Sequence, residues 1–213
     1  MNDLENIFSN DKICFIILNP YFCQHNELGE AVLEDGNLIE NIYKNFGYKC
    51  IKIIDESIEI FKNIYSKLLT MNLVDLIIYY SGHGTQIEDK DNSEEDGLDE
   101  CLLFKDGLVV DDYLTEQLYN SQCQNILFIF DCCHSGTLID NNSKIDLNKI
   151  SSISGCKDSE FSVQTKHGGM FTYNISEYKN LLLKEIIEKI NEKTKKYNQH
   201  LQICGNRKYL FIN

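Results

Sequence analysis

The sequence predicts an α/β fold in three layers: a mostly parallel sheet of about six strands with helices on both faces. Short apolar runs rich in β-branched and aromatic residues recur along the chain, each about as long as one strand. Between them lie segments whose apolar residues repeat with helical spacing, and strands that alternate with helices pair in parallel. The size agrees: 213 residues, 43% hydrophobic and 25% charged, bury one full core and fit a single domain.

Taken in order, "ICFIIL" (13–18) is a buried strand, and "LIENIYKNFGY" (38–48) has apolar residues at helical spacing, closed by Gly47 as a C-cap. "KCIKII" (49–54) is a strand, and "SIEIFKNIYSKLL" (57–69) is an amphipathic helix with Ser57 as its N-cap. "DLIIYY" (75–80) is a strand, followed by an acidic loop over about 85–99. "ECLLF" and "LVV" form a small hairpin around Asp106-Gly107. "DDYLTEQLYN" (111–120) opens a helix with two acids, where the dipole favours them, and "NILFIF" (125–130) is the next strand. The polar residues 137–160 read as a linker or loop. After "HGGMFT" comes one long helix, about 174–197, and "LQIC" and "YLFI" finish the chain as two short strands.

A formal net charge of −13 makes nucleic acid and anionic membrane poor partners, and makes divalent metals or Lys- and Arg-bearing substrates good ones. The first residues, "MNDLENIFSNDK", are polar and acidic, and no apolar run is long enough to span a bilayer, so a soluble cytoplasmic protein is expected. Nine cysteines, an odd number, without paired CxxC motifs, read as reduced thiols rather than a disulfide framework or a structural zinc site.

Two strands end in reactive residues: "DLIIYY" runs into Ser81-Gly82-His83-Gly84, and "NILFIF" into Asp131-Cys132-Cys133-His134. Sites in open α/β sheets form beyond the carboxyl ends of the strands. If the two strands are neighbours and the chain stays extended past each, alternation puts Ser81 and His83 on one side together with Asp131 and Cys133. Cys132 then turns into packing, and His134 is a turn residue. A thiol beside an imidazole is an activated nucleophile. The Gly84 and Cys133 N–H groups are candidates to hold an oxyanion. Asp131 would raise a neighbouring thiol pKa, the wrong direction for activation, so it makes better sense facing a cationic substrate side chain together with Ser81.

Cys133 lies fifty residues after His83, the spacing that caspases show. "YYSGHGTQ", "DGLDE" and "FDCCHSG", in that order, resemble a metacaspase of the caspase-like clan, and "ISGCKD" and "GGMFT" with a following helix resemble its smaller C-terminal region. The resemblance runs from Ile13 to about Leu210 and implies a caspase-like fold. It divides the chain into a large-subunit-like region (1–140), a linker or loop (141–160) and a small-subunit-like region (161–213).

The resemblance implies a monomeric cysteine endopeptidase that cuts protein or peptide substrates after Arg or Lys. Its dyad falls on His83 and Cys133, and its basic-residue pocket on Ser81, Asp131 and Asp35, the last in "AVLED", where Val32 replaces the family's cysteine. It also implies Ca²⁺ as an activator, held by Asp99, Asp111, Asp112 and Asp140, with Asp96 a substitute for Asp99. Asp111 and Asp112 are equally suited to capping a helix. "DKDNSEEDGLDE" imitates an EF-hand loop, but Glu94 occupies the position that needs glycine, and no amphipathic helix enters it. Without a Pro/Gln-rich leader or a long insertion between the regions, the chain looks like a bare type I-like catalytic core, with Lys144 and Lys149 as candidate self-cleavage sites. The alternative from a different class is a caspase-like pseudoenzyme serving as a regulatory or binding scaffold. Val32, the missing Pro in "NQHLQICG" and the divergent "FSVQTKH" favour it, and the intact dyad opposes it.

Overall fold

The computed structural model describes residues 10–90, 97–139, 145–156, 164–165 and 168–212. Strands β1 (Lys12–Leu18), β2 (Lys49–Ile54), β3 (Asp75–Ser81), β7 (Ile126–Asp131), β8 (Ile150–Ser154) and β11 (Gln202–Cys204) form one sheet in the order β11-β8-β7-β3-β1-β2. All its pairings are parallel except β8 with β11.

Strand alternation builds the two cores. Ile13, Phe15 and Ile17 of β1, with Leu76, Ile78 and Tyr80 of β3 and Phe128 and Phe130 of β7, face one layer. Helices α2 (Ile58–Leu69) and α3 (Asp111–Leu118) close it with Phe61, Tyr65, Leu68, Leu114 and Leu118. The residues between them, such as Ile16, Tyr79 and Ile129, face α1 (Glu30–Asn45), α4 (Met170–Tyr178) and α5 (Leu183–Thr194). This is the three-layer arrangement that the sequence predicts. Ser57 caps α2 as expected, accepting from the Ile60 N–H at 3.3 Å.

Several elements differ from the sequence expectation. α1 begins at Glu30, eight residues before the periodic run, and within it Gly36 packs so closely that a Cβ there would run into the Leu18 side chain. The acidic loop begins instead with β4 (Gly84–Glu88), which pairs with β5 (Leu98–Phe104), itself paired with β6 (Gly107–Val110), in a three-stranded antiparallel sheet. The expected linker 141–160 contains β8, buried along its whole length. Two of its serines find partners outside the strand: Ser154 donates to the Ser135 carbonyl, and Ser151 Oγ accepts from the Arg207 N–H at 3.1 Å.

The single long helix is two, α4 and α5, because extended Leu182 restarts the chain, with its N–H donating to Glu185 Oε2 at 3.0 Å. A 3₁₀ turn, Lys195–Tyr197, follows α5, and a two-residue pairing of β9 (Gln164–Thr165) with β10 (Gly168–Gly169) precedes α4. "YLFI" is not a strand, since side chains take its backbone groups. The Leu210 carbonyl accepts from Tyr43 Oη at 3.1 Å, the Ile212 N–H donates to Tyr48 Oη at 3.1 Å, and the Ile212 carbonyl accepts from Lys12 Nζ at 2.7 Å.

The C-terminal segment is also anchored by Arg207. Its two terminal nitrogens donate to the two oxygens of Asp75, both at 2.6 Å, and Asp75 is fully buried at the start of β3. Removing one member of such a pair strands a buried charge. Arg207→Leu is expected to lower the unfolding free energy by about 3–5 kcal/mol in urea denaturation; an unchanged midpoint would show that Asp75 does not need its partner.

Candidate active site

Neighbouring strands β3 and β7 end together, with Ser81 the register partner of Asp131. Just past that pair the chain reaches His83 on one side and Cys133 on the other. Both line a cavity of about 130 Å³ with Asp35, Ser81, Asp131, Gly169 and the neighbouring Cys132 among its other walls. The dyad and pocket residues inferred from the sequence thus share one cavity at the carboxyl end of the sheet. A larger cavity, about 670 Å³, lies elsewhere and is lined by residues such as Asn125, Lys149 and Arg207, with no thiol or imidazole.

His83 is held from three directions. Its N–H donates to Tyr21 Oη at 2.9 Å, its ring stacks on the Tyr21 ring with centroids 4.9 Å apart, and its Nε2 lies 2.8 Å from the Asn26 carbonyl oxygen. A carbonyl only accepts, so Nε2 carries the proton and Nδ1 is left as the basic nitrogen. Tyr21 adopts a left-handed φ of 55°, and Asp55 fixes that turn by accepting from the Tyr21 and Phe22 N–H groups at 3.0 and 3.2 Å. None of Tyr21, Asn26 and Asp55 was singled out from the sequence. The aromatic residue after "NP" was a usable signal, whereas Asn26 acts through a carbonyl that any residue supplies.

The two adjacent thiols separate as alternation predicts. Cys132 is 1% exposed in the core, and burial pushes its thiol well up. Cys133 is half-buried at the cavity. The turn is pinned at the Cys132 carbonyl, which accepts from Ser135 Oγ at 3.1 Å and Cys156 Sγ at 3.3 Å, and His134 takes a left-handed φ of 48°. Gly84 packs against the Cys133 carbonyl so closely that any Cβ would collide with it, which brings the two candidate oxyanion residues into backbone contact.

The acidic pocket is built from five elements, α1, β3, β7, β10 and α4. Because α1 starts early, Asp35 falls on its buried face, 2% exposed. The Gly169 N–H donates to both Asp35 oxygens, at 2.9 and 3.0 Å, and Ser81 Oγ donates to Oδ2 at 3.3 Å. Asp131 Oδ2 accepts from the Thr172 hydroxyl at 2.7 Å and from its N–H at 3.3 Å, and Thr172 Oγ1 lies 2.7 Å from Tyr79 Oη. Burial, and then the neighbouring Asp131 charge, push Asp35 up to about 8. "GGMFT", which the sequence presents as a tight entry into a helix, turns out to be the wall of this pocket. A Cβ at Gly168 would strike Asp35, and one at Gly169 would strike Asp131.

The acids that the resemblance assigns to calcium are only partly assembled. Asp99 and Asp111 are buried, and with Glu100 their charges help push the buried Cys101 thiol up to about 12, after burial itself. Asp112 is exposed at the start of α3, where its N–H donates to Asp111 Oδ1 at 3.0 Å. Asp140 and Asp96 lie outside the described residues, and among the described residues no three acids, thiols or imidazoles converge as a metal site. The hard-oxygen donors suit Ca²⁺ in kind, but the described residues do not complete a cage.

Comparison with known proteins bears on the family and the fold. A family profile described as the caspase domain matches residues 11–208. The chain is 28% identical over 159 residues to Metacaspase-1 of Botryotinia fuckeliana, covering 64% of this chain and 37% of that protein. It therefore spans just over a third of the length of such relatives. Among solved structures, protein GSU0716 from Geobacter sulfurreducens superposes with a TM-score of 0.71 at 21% identity, covering 90% of this chain and 92% of that one. Caspase-1 from Spodoptera frugiperda gives 0.69 at 14% identity, covering 94% of this chain and 89% of that one. These structural likenesses speak to the fold alone.

The pocket carboxylates make a direct prediction. Asp35 holds its proton up to about 8 in the folded chain, against 3.8 ordinarily, so its contribution to stability falls as pH rises through that window. In Asp131→Asn the second-largest cause is gone, and ¹³C NMR should find Asp35 titrating below the wild-type value while burial keeps it above the ordinary one. An unchanged titration would mean that the two acids do not sense each other.

Proposed function

The chain belongs to the caspase domain family, and from that premise we propose that it is a cysteine endopeptidase cleaving protein or peptide substrates after Arg or Lys. The observation that carries this reading is the pair of buried carboxylates, Asp35 and Asp131, in the same small cavity as Cys133 and His83. A pocket so lined suits a cationic side chain and repels an acidic one.

In the proposed reaction, His83 Nδ1 takes the Cys133 thiol proton and the thiolate attacks the carbonyl carbon of the bond after the basic residue. The carbonyl π electrons move onto oxygen, which the Gly84 and Cys133 N–H groups stabilise. As the oxyanion collapses, the C–N bond breaks and His83 gives its proton to the departing amine. A water molecule, deprotonated by His83, then attacks the thioester; the carboxylate product leaves and the thiol is restored. The Asn26 carbonyl holds Nε2–H throughout, which fixes the tautomer that keeps Nδ1 basic.

Ca²⁺ enters the proposal as an activator resting on the buried acids Asp99 and Asp111, with Asp112 and Asp140 as the further ligands that the resemblance implies. When bound it would supply a positive charge to the β5–α3 region and no chemistry at the scissile bond. A monomeric, cytoplasmic peptidase is part of the same proposal, and no helix among the described residues is long and apolar enough to cross a membrane. Of the two self-cleavage candidates, Lys144 lies outside the described residues. Lys149 is a poor one, since its carbonyl accepts from the Ile126 N–H at 2.8 Å and its N–H donates to the Asp146 carbonyl at 2.9 Å.

The decisive assay uses peptides with Arg, Lys or Asp before the cleaved bond, with calcium and with chelator. Cleavage after Arg or Lys, abolished in Cys133→Ala and His83→Ala, is expected; no turnover by reduced protein in any condition would leave the scaffold reading. Asp35→Asn should weaken Arg substrates by about 2–5 kcal/mol, a fall in kcat/KM of at least about thirtyfold. A bound cation needs Asp35 ionised, so KM for Arg peptides should fall as pH rises through about 8. A KM that is flat across that range would remove Asp35 from the pocket's charge.

A further inference from the structure

A second thiol site lies apart from the cavity. Cys14 on β1 and Cys50 on β2 are register partners on neighbouring parallel strands, so their side chains stand side by side on the face that α1 covers. We propose that Cys14 and Cys50 are a redox dithiol that closes to a disulfide when peroxide oxidises Cys50, a modification site independent of the peptidase chemistry.

The two sulfurs have complementary roles. Cys14 is fully buried, while Cys50 is half-buried on β2, an edge strand whose one sheet neighbour is β1. Cys50 Sγ lies 3.8 Å from the Glu40 carbonyl of α1. Lys44 of α1 and Lys52 of β2 both pair with the Glu40 carboxylate and bring two cations around the thiol against that one acid. The neighbouring Cys14 thiol comes first in holding Cys50 below the ordinary thiol range, with burial and Glu40 opposing and the two lysines helping. Burial, and then the neighbouring Cys50, push Cys14 well up. Cys50 is thus the sulfur that ionises and meets oxidant first, and Cys14 is held back as its resolving partner. Neighbouring strands run about 4.7–4.9 Å apart, within the roughly 4.4–6.8 Å between Cα atoms that a disulfide spans, and an edge strand is free to adjust.

The steps balance. Cys50 thiolate attacks one oxygen of hydrogen peroxide, the O–O bond breaks, hydroxide leaves and Cys50 becomes a sulfenic acid. Cys14 sulfur then attacks Cys50 sulfur, the S–O bond breaks, and the leaving hydroxide takes the Cys14 proton as water. Overall two thiols are oxidised by two electrons and one peroxide is reduced to two waters; a dithiol reductant reverses the change.

The test is a peptide map of the Cys133→Ala protein after hydrogen peroxide, with free thiols alkylated. Trypsin releases Cys50 in the tripeptide 50–52, and Cys14 together with Cys23 in 13–44, so fragmentation of the joined peptides locates the bond. A Cys14–Cys50 link that dithiothreitol removes, and that persists in Cys23→Ser, is expected. In Cys50→Ser, Cys14 should stay an alkylatable thiol, and in Cys14→Ser, Cys50 should be trapped by dimedone as the sulfenic acid. Should Cys14→Ser fail to fold, the map of the Cys133→Ala protein decides alone. Cys14 recovered as a free thiol, with Cys50 untouched or carried on to the sulfinic acid, would overturn the proposal.

Discussion

The parallel register of β3 against β7 is the constraint on which the rest depends. Each strand is buried over its whole length, and burial of both faces leaves little freedom to slip, since one residue of slip would exchange the two cores. That fixed register sets Ser81 beside Asp131, and the chain past each strand then delivers His83 and Cys133 to one cavity. The reactive residues sit on the turns, but the strands beneath them decide where the turns begin.

Burying two carboxylates together is costly unless donors are aimed at them. The entry to α4 supplies these: the Gly169 N–H serves Asp35, and Thr172 serves Asp131 through both N–H and hydroxyl. The two glycines before α4 let this backbone come within contact of the acids. The C-terminal region therefore does more than cover the sheet: it makes the acidic pocket habitable. The raised Asp35 pKa is what remains of that conflict.

The nine thiols divide by environment. Cys132, fully packed, has its ionisation suppressed by burial, and Cys133 stands half-buried at the cavity. Cys14 and Cys50 form a pair under α1, where the half-buried member is favoured to ionise by its buried neighbour. Each pair joins a buried thiol to a half-buried one, although Cys132 and Cys133 are chain neighbours and Cys14 and Cys50 lie 36 positions apart. Alternation along a strand parts the first two, and pairing across strands joins the second.

The sequence by itself determined the alternating α/β pattern, the Ser57 cap, and the ends of the two strands that carry His83, Asp131 and Cys133. Each depends on local periodicity or on residue chemistry, which a single segment displays. It also separated Cys132 from Cys133, because strand alternation extends one step into the turn. Only the tertiary structure decided the rest. β8 is serine-rich and reads as a linker; partners outside its own strand satisfy the side chains of Ser151 and Ser154. Gly36 and Gly169 mark places where backbone meets Leu18 and Asp131, partners that no local pattern names. Tyr21, Asn26 and Asp55 hold His83 across long chain separations, partly through backbone atoms that carry no sequence signature. Local order is written in the spacing of residues, whereas closeness between distant segments exists only once the sheet has formed.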